Sequence, residues 1–223
     1  MKEGLLEKIT GYGHWRVNLR PLAALPERLT LARCFEVVEQ SRVSIRGWDY
    51  PHISRREDAE GGSGRAGEYF ENWCDWHSQV EFWRMYRSGQ FLSYNTLNDD
   101  TEVPPEDAGK LLNVVDAIYT VSEFTDFAGR LVANVPFAAG LHLALTLNGT
   151  AGRRLWSGRN RVPFFDAKTT EAPLVELNRR IAPGDNAQEL AISLLVELFD
   201  HFGWNPDPSQ LQGDQSRFYR RES

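Results

Sequence analysis

Polar and hydrophobic positions alternate in several short stretches of this chain and recur at helical spacing in others. In "GHWRVNLRPL", Trp15, Val17 and Leu19 alternate with His14, Arg16, Asn18 and Arg20, which predicts a half-buried strand ended by Pro21. "LPERLTLARCFEVVEQS" carries Leu29, Ala32, Cys34, Phe35, Val37 and Val38 on one broad face and predicts a helix, with Pro26 suited to its first turn. "RVSIRG" reads as a second strand. The opening therefore predicts a strand–helix–strand unit, with a connection long enough for a parallel crossover.

Residues 54–67, "SRREDAEGGSGRAG", are polar and glycine-rich without a period, which predicts a mobile loop. The next stretch, 68–97, is aromatic throughout and mostly follows a period near two. It predicts two or three antiparallel strands with turns near Asp75–Gln79 and Ser88–Gly89; a helix over 80–87 is the competing reading. Residues 98–110 form an acidic linker that Pro104 and Pro105 keep out of a helix interior. "LLNVVDAIYTVSEFTDFAGRLVANV" predicts the longest helix, with Val114, Ile118, Val121, Phe124 and Leu131 on its apolar face.

"GLHLALTLNGT" and "APLVELNRRI" predict strands, and "AGRRLW" is expected to continue the sheet after the Asn148–Gly149 turn signal. The last strong helix is "NAQELAISLLVELFDHFGW", with Asn186 as N-cap, Glu189 at capping-box spacing and Gly203 as its stop. After Pro208 the pattern fades, and 209–223 is expected to be a disordered tail. Together these elements predict an α+β fold: a mixed, aromatic-rich sheet packed in two layers against about three amphipathic helices, as a single domain over residues 1–208.

Charge narrows the function classes. With 25 basic and 31 acidic residues among 223 the formal charge is −6, which argues against coating nucleic acid by charge alone but leaves room for a local basic face. Eight carboxylates crowd Asp99–Asp126, whereas 151–161 holds Arg153, Arg154, Arg159 and Arg161 with no acid, so "RRLWSGRNR" is a candidate phosphate-contacting strip. No apolar run approaches the roughly 18 residues of a membrane span, and the N-terminus lacks the apolar stretch of a signal peptide. Cys34 and Cys74 have no metal or redox spacing. A cytoplasmic protein without a membrane partner is expected.

Motifs with chemistry are scarce. There is no phosphate-binding Gly-x-x-x-x-Gly-Lys loop, dinucleotide fingerprint, Gly-x-Ser-x-Gly elbow or His-Glu-x-x-His helix. "GGSGRAG" could offer N–H groups to a phosphate but lacks the lysine and the strand–helix frame. Asp49 with His52, or Asp75 with His77, could supply two metal ligands each, or a carboxylate that orients an imidazole. A ribonuclease-like set of Arg46, His52 and His77 can be drawn, as can an acid–base role for Glu81 beside Arg84. No cofactor is expected.

The aromatic concentration is the most distinctive feature. Trp48, Trp73, Trp76 and Trp83, four of seven tryptophans, fall within 36 residues, with Tyr50, Tyr69, Tyr86 and Tyr94 around them. Such a region serves as a core of large side chains, as a binding face edged by arginines, or as both. At its head stands "VSIRGWDYPHI", residues 43–53, in which Arg46, Asp49 and His52 are left over once packing and turn formation are satisfied. The expectation is a non-enzymatic binding or scaffold module that engages a protein partner, or a second copy of itself, through Arg46, Trp48, Asp49, Tyr50, His52, Trp76, His77, Arg84 and Tyr86. The alternative is a nucleic-acid-associated or nuclease-like protein using Arg46, His52, Arg84 and the arginines at 153, 154 and 159.

Overall fold

The alternation at His14–Pro21 (β1) is realised: Trp15, Val17 and Leu19 are buried on one face, and the strand lies inside a seven-stranded sheet. On one side of β1, a run of hairpins adds β2 (Gly61–Ala66), β3 (Tyr69–Trp76), β4 (Gln79–Tyr86) and β5 (Phe91–Thr96); on the other lie β7 (Leu141–Asn148) and β9 (Leu174–Ile181). The order is β2-β3-β4-β5-β1-β7-β9, and every neighbouring pair is antiparallel. The structure, a computed structural model, describes all residues except 105–107, 135–136, 158–163, 165 and 221–223.

One face of the sheet carries the helical layer: α2 (Leu31–Ser41), α4 (Val114–Val132), α5 (Ala187–Asp200) and α6 (Pro208–Arg220). Leu141, Leu143, Leu145 and Leu147 of β7 all reach zero exposure beneath it. Burying each such side chain is worth about 1.5–3 kcal/mol. The short α1 (Leu5–Thr10) lies on the opposite face, where Leu5 and Ile9 cluster with Val80 and Phe82. The result is the mixed α+β fold expected, with a large aromatic-containing sheet against several helices. Among the described residues no helix is long and apolar enough to cross a membrane.

Several expectations are corrected. "RVSIRG" is not a strand: only Val43 bridges, to Tyr50, and no parallel pair forms with β1. The helix after Pro21 starts at Leu31, because the Thr30 side chain caps it by accepting the Arg33 N–H. Residues 61–66 of the supposed loop form the edge strand β2. Its glycines are needed for close approach, since a Cβ on Gly62 would come within 2.9 Å of the Trp73 ring and one on Gly64 within 2.7 Å of Glu71.

β8 (Arg154–Trp156) leaves the main sheet and pairs in parallel with β6 (Leu111–Asn113). The acidic linker holds a short helix, α3 (Asn98–Thr101). The tail is helical as α6, because Leu211 and Phe218 bury one face and Phe218 stacks on Tyr119 at 5.0 Å.

A buried ion pair ties α3 to this periphery. Arg153 donates to both oxygens of Asp100 (2.8 and 2.5 Å) and to the carbonyls of Gly149 and Leu111, while Asp100 also accepts the Gly13 and Gly109 N–H groups. Burial alone would raise the Asp100 carboxyl, but these donors hold it below its ordinary value. Gly13 must be glycine, as a Cβ there would sit 2.1 Å from the Arg153 guanidinium. Replacing Arg153 by methionine leaves the buried Asp100 charge without its counter-ion, so we expect Arg153→Met to cost about 3–5 kcal/mol. Urea unfolding checks this, and an unchanged midpoint would show that the pair contributes nothing.

Candidate functional site

The segment 43–53 closes on itself through two backbone hydrogen bonds between Val43 and Tyr50, both 2.8 Å, and Gly47 takes the left-handed conformation (φ 87°) that the reversal requires. Arg46 leaves this turn toward α4. There Asp116, Thr120 and Glu123, spaced four and three residues apart, present their side chains on one helix face. The guanidinium takes all three: Nε and Nη2 donate to the two oxygens of Glu123 (3.1 and 2.8 Å), Nη1 to Asp116 (2.7 Å) and Nη2 also to Thr120 (2.9 Å). Burial opposes the charged form of Arg46, but Glu123 and Asp116 outweigh it and raise its pKa further.

A second polar group lies beside the first, on the sheet. β4 places Glu81 on the same side as Trp83 and Met85, so its carboxylate points under the helices, level with Asn95 on β5 and Trp15 on β1. Trp48 Nε1 donates to Glu81 at 2.7 Å, and the Asn95 amide donates to its other oxygen. Asn95 in turn accepts from Ser93, whose hydroxyl pairs with the buried Tyr50 phenol at 2.8 Å. Every member of this chain from Tyr50 to Trp48 is satisfied, as buried polar groups must be.

Burial pushes the Glu81 carboxyl up to about 7, and the nearby Glu123 charge adds to it against the Trp48 and Asn95 donors. Glu123 is also raised to about 7 by burial, with Arg46 pulling the other way. The two carboxyls share one cavity of about 50 Å³ with Arg46, Trp48, Asn95 and Trp15. That is room for little more than a water-sized group and far below the roughly 300–1,000 Å³ of a small-molecule site. Chemically the cluster can hold a proton at neutral pH and brace the turn.

Outside the cavity stands an aromatic ledge. His52 stacks on Trp48 at 3.9 Å, and Trp76 lies nearly parallel to Trp48 at 6.0 Å. Trp76 is 39% exposed and ends β3; His77, in the left-handed region (φ 49°), turns the chain into β4 and meets the Trp76 ring edge-on at 4.8 Å. Burial lowers the His52 pKa, Asp49 raises it and Arg42 lowers it. Asp49 does not orient this imidazole through a hydrogen bond, since its carboxylate is taken by Arg42 at 2.9 Å.

The residues proposed from sequence thus separate. Arg46, Trp48, Asp49, Tyr50, His52, Trp76 and His77 converge on this corner. Arg84 and Tyr86 lie on the opposite face of β4, where Arg84 pairs with Glu71 at 2.7 Å rather than with Glu81. Arg153 is 1% exposed and spent on Asp100, so it offers nothing to a phosphate; Arg154 is exposed in a separate groove with Asp99 and Trp156, and Arg159 lies outside the described residues. Asp75 is held by Lys2 and Lys8. No cluster of three metal-ligating side chains occurs among the described residues. Sequence reading missed the roles of Asn95, Thr120 and Glu123, although the parity of Glu81 with Trp83 and the helical spacing of Asp116, Thr120 and Glu123 carried a signal. No family model matches the chain, and no curated protein or solved structure is detectably similar to it.

The raised carboxyls make stability depend on pH. An unfolded glutamate ionises near 4.3, so the folded state binds the Glu81 proton more tightly. The associated stability is full below that value and is lost as pH rises through about 7. Glu81→Gln removes this ionisation, and we expect the loss of stability between about pH 5 and pH 8 to shrink by roughly 1–3 kcal/mol. Thermal melts at both pH values read it; parallel pH profiles for the two proteins would refute the assignment.

Proposed function

We propose that this protein is a non-enzymatic binding module that engages a protein partner through the Trp48–His52–Trp76 ledge and the charged groups around it. The observation that carries this reading is the ledge itself: three stacked rings with the outermost tryptophan exposed, on a turn whose polar groups are committed inward. Arg46 is fully occupied by α4 and Trp48 Nε1 by Glu81. The rings are therefore held in place before any partner arrives, which lowers the entropy cost of binding. Tryptophan is the side chain most enriched among residues that dominate protein interfaces.

Catalysis is less well supported at this corner. The cavity behind Trp48 is too small for a substrate, and no carboxylate–imidazole hydrogen bond links Asp49 to His52. Recognition of phosphate by Arg46 and Arg153 fares no better, because both guanidinium groups are bonded to carboxylates.

The test uses a photo-crosslinking amino acid at position 77 in the intact protein, with a control at exposed Asp185. Adducts are expected from position 77 only, and mass spectrometry identifies the partner, including a second copy of this chain. Trp76→Ala should abolish those adducts while changing stability by less than about 1 kcal/mol. Equal adducts from both positions, or adducts that survive Trp76→Ala, would overturn the reading.

A further inference from the structure

The face of the sheet turned away from the large helices carries an unassigned row of side chains. Tyr69 on β3 lies opposite Tyr86 on β4, and the Tyr86 N–H bonds to the Gln90 carbonyl at 2.8 Å. Leu19 is opposite Phe91, so the next step of that register sets Gln90 beside Arg20; Arg20 is opposite His142 on β7, and His142 opposite Arg180 on β9. One line thus crosses the sheet: two tyrosines, a glutamine, an arginine, a histidine and an arginine. At about 4.8 Å per strand it spans roughly 24 Å.

This row is open. The small helix α1 covers the other end of the face, over Val80 and Phe82, while Arg20 and Arg180 are exposed and Tyr69, Tyr86, Gln90 and His142 are partly exposed. Its guanidinium groups also lack a carboxylate among the described residues. Many arginines of this acid-rich chain find a carboxylate, Arg28, Arg46, Arg84 and Arg179 among them. Among the described residues Arg20 and Arg180 have no such partner. On the same face, Glu71 is held by Arg84 and the N-terminal amine, and Glu176 lies four residues, about 13 Å, from Arg180 along β9. Next to the row, Arg84 lies over the Tyr69 ring at 4.5 Å, and Tyr69 meets Tyr86 edge-on at 5.5 Å.

We propose that this row binds single-stranded nucleic acid, with phosphates over Arg20, His142 and Arg180 and bases against Tyr86 and Tyr69. Unpaired guanidinium groups spaced along a line suit a polyanion, and rings at the same level suit unpaired bases, which stack on tyrosine irrespective of sequence. A duplex offers no free base face to the tyrosines. An acidic protein segment would satisfy the arginines and leave the tyrosine half of the row unused. The overall charge of −6 keeps the affinity modest and confines it to this face.

Fluorescence anisotropy with a labelled mixed-sequence oligonucleotide of about 16 nucleotides, as DNA and as RNA, tests the proposal on the full chain. Binding is expected at about 50 mM salt and should weaken at about 200 mM. Arg20→Ala/Arg180→Ala should reduce affinity about tenfold and flatten the dependence of log K on log salt by about 1.4, the slope of two single-strand phosphate contacts. Tyr86→Ala should lower affinity about tenfold with the slope unchanged. Trp76→Ala, on the ledge, should bind as the parent does, which separates this site from the protein-binding reading. Thermal melts establish that each variant is folded, and because Arg20 and Arg180 are exposed the double arginine variant decides the matter alone if Tyr86→Ala does not fold. The proposal fails if no oligonucleotide binds at about 50 mM salt. It also fails if the arginine variant binds equally well, or if polyglutamate competes as effectively as the oligonucleotide.

Discussion

The geometry of the candidate site rests on one guanidinium. Arg46 sits in a turn that has only a single bridge of its own, Val43 to Tyr50, and a connection of that kind is ordinarily free to move. Its planar fork fixes the turn to α4 by reaching both oxygens of Glu123, Asp116 and Thr120 together. A lysine could reach one carboxylate but could not match both oxygens of Glu123 and a second acid at once. Glu123 is buried while Arg46 keeps part of its side chain in solvent, and an ion pair so placed yields little net stability over apolar packing. What this pair supplies is position: with Arg46 in place, Trp48 is directed onto Glu81 and Tyr50 onto Ser93.

Around that anchor, the elements read from sequence and those that emerged only on folding differ in kind. β1, β3, β4, β5, β7 and β9 were legible because a strand with one buried face imposes period two on its own residues. α4 and α5 were legible through their apolar stripes, and α5 also through its Asn186 cap. β2 was not, because its stability comes from the neighbouring strand. Trp73 and Glu71 lie over Gly62 and Gly64, so the residues that would mark a strand are absent from it. α6 was misread for a similar reason. Its sequence is polar on average, and it is held by Leu211, Phe218 and a Gln215 side chain bonded to Ser122 of α4, a partner 93 positions away. "RVSIRG" erred in the opposite sense, with strand-like residues diverted by Gly47 and the pull of Arg46 toward α4.

The site shows the same division. That 43–53 is a special segment could be seen in its composition, and seven proposed residues do meet at one corner. Which of them remain available to a partner could not be seen, because their companions lie far away in the chain: Glu81 is 33 residues from Trp48 and Glu123 is 77 from Arg46. Sequence proximity suggested Asp49 with His52, Glu81 with Arg84 and Asp75 with His77. Each pairing is undone by a stronger competitor, namely Arg42, Glu71 and the two lysines of the N-terminal segment. A carboxylate accepts from the best-placed cation, and in a chain rich in acids the adjacent residue is rarely that cation.

The two faces of the sheet carry opposite solutions to the same electrostatic problem. Beneath the helices, charge is tolerated only where it is matched, and Glu81, Glu123 and Arg46 share donors until no buried atom among them lacks a partner. This makes the inner cluster a brace, since a group fully committed to its neighbours has nothing left to offer a ligand. On the outer face, solvent relieves Arg20 and Arg180 of the need for a partner, so they can remain unpaired at little cost. Within this fold, side chains without a protein partner therefore lie where residues are exposed, at the rim of the Trp48–Trp76 ledge and the arginine end of the outer row, while the densest cluster of reactive-looking side chains is bonded within itself.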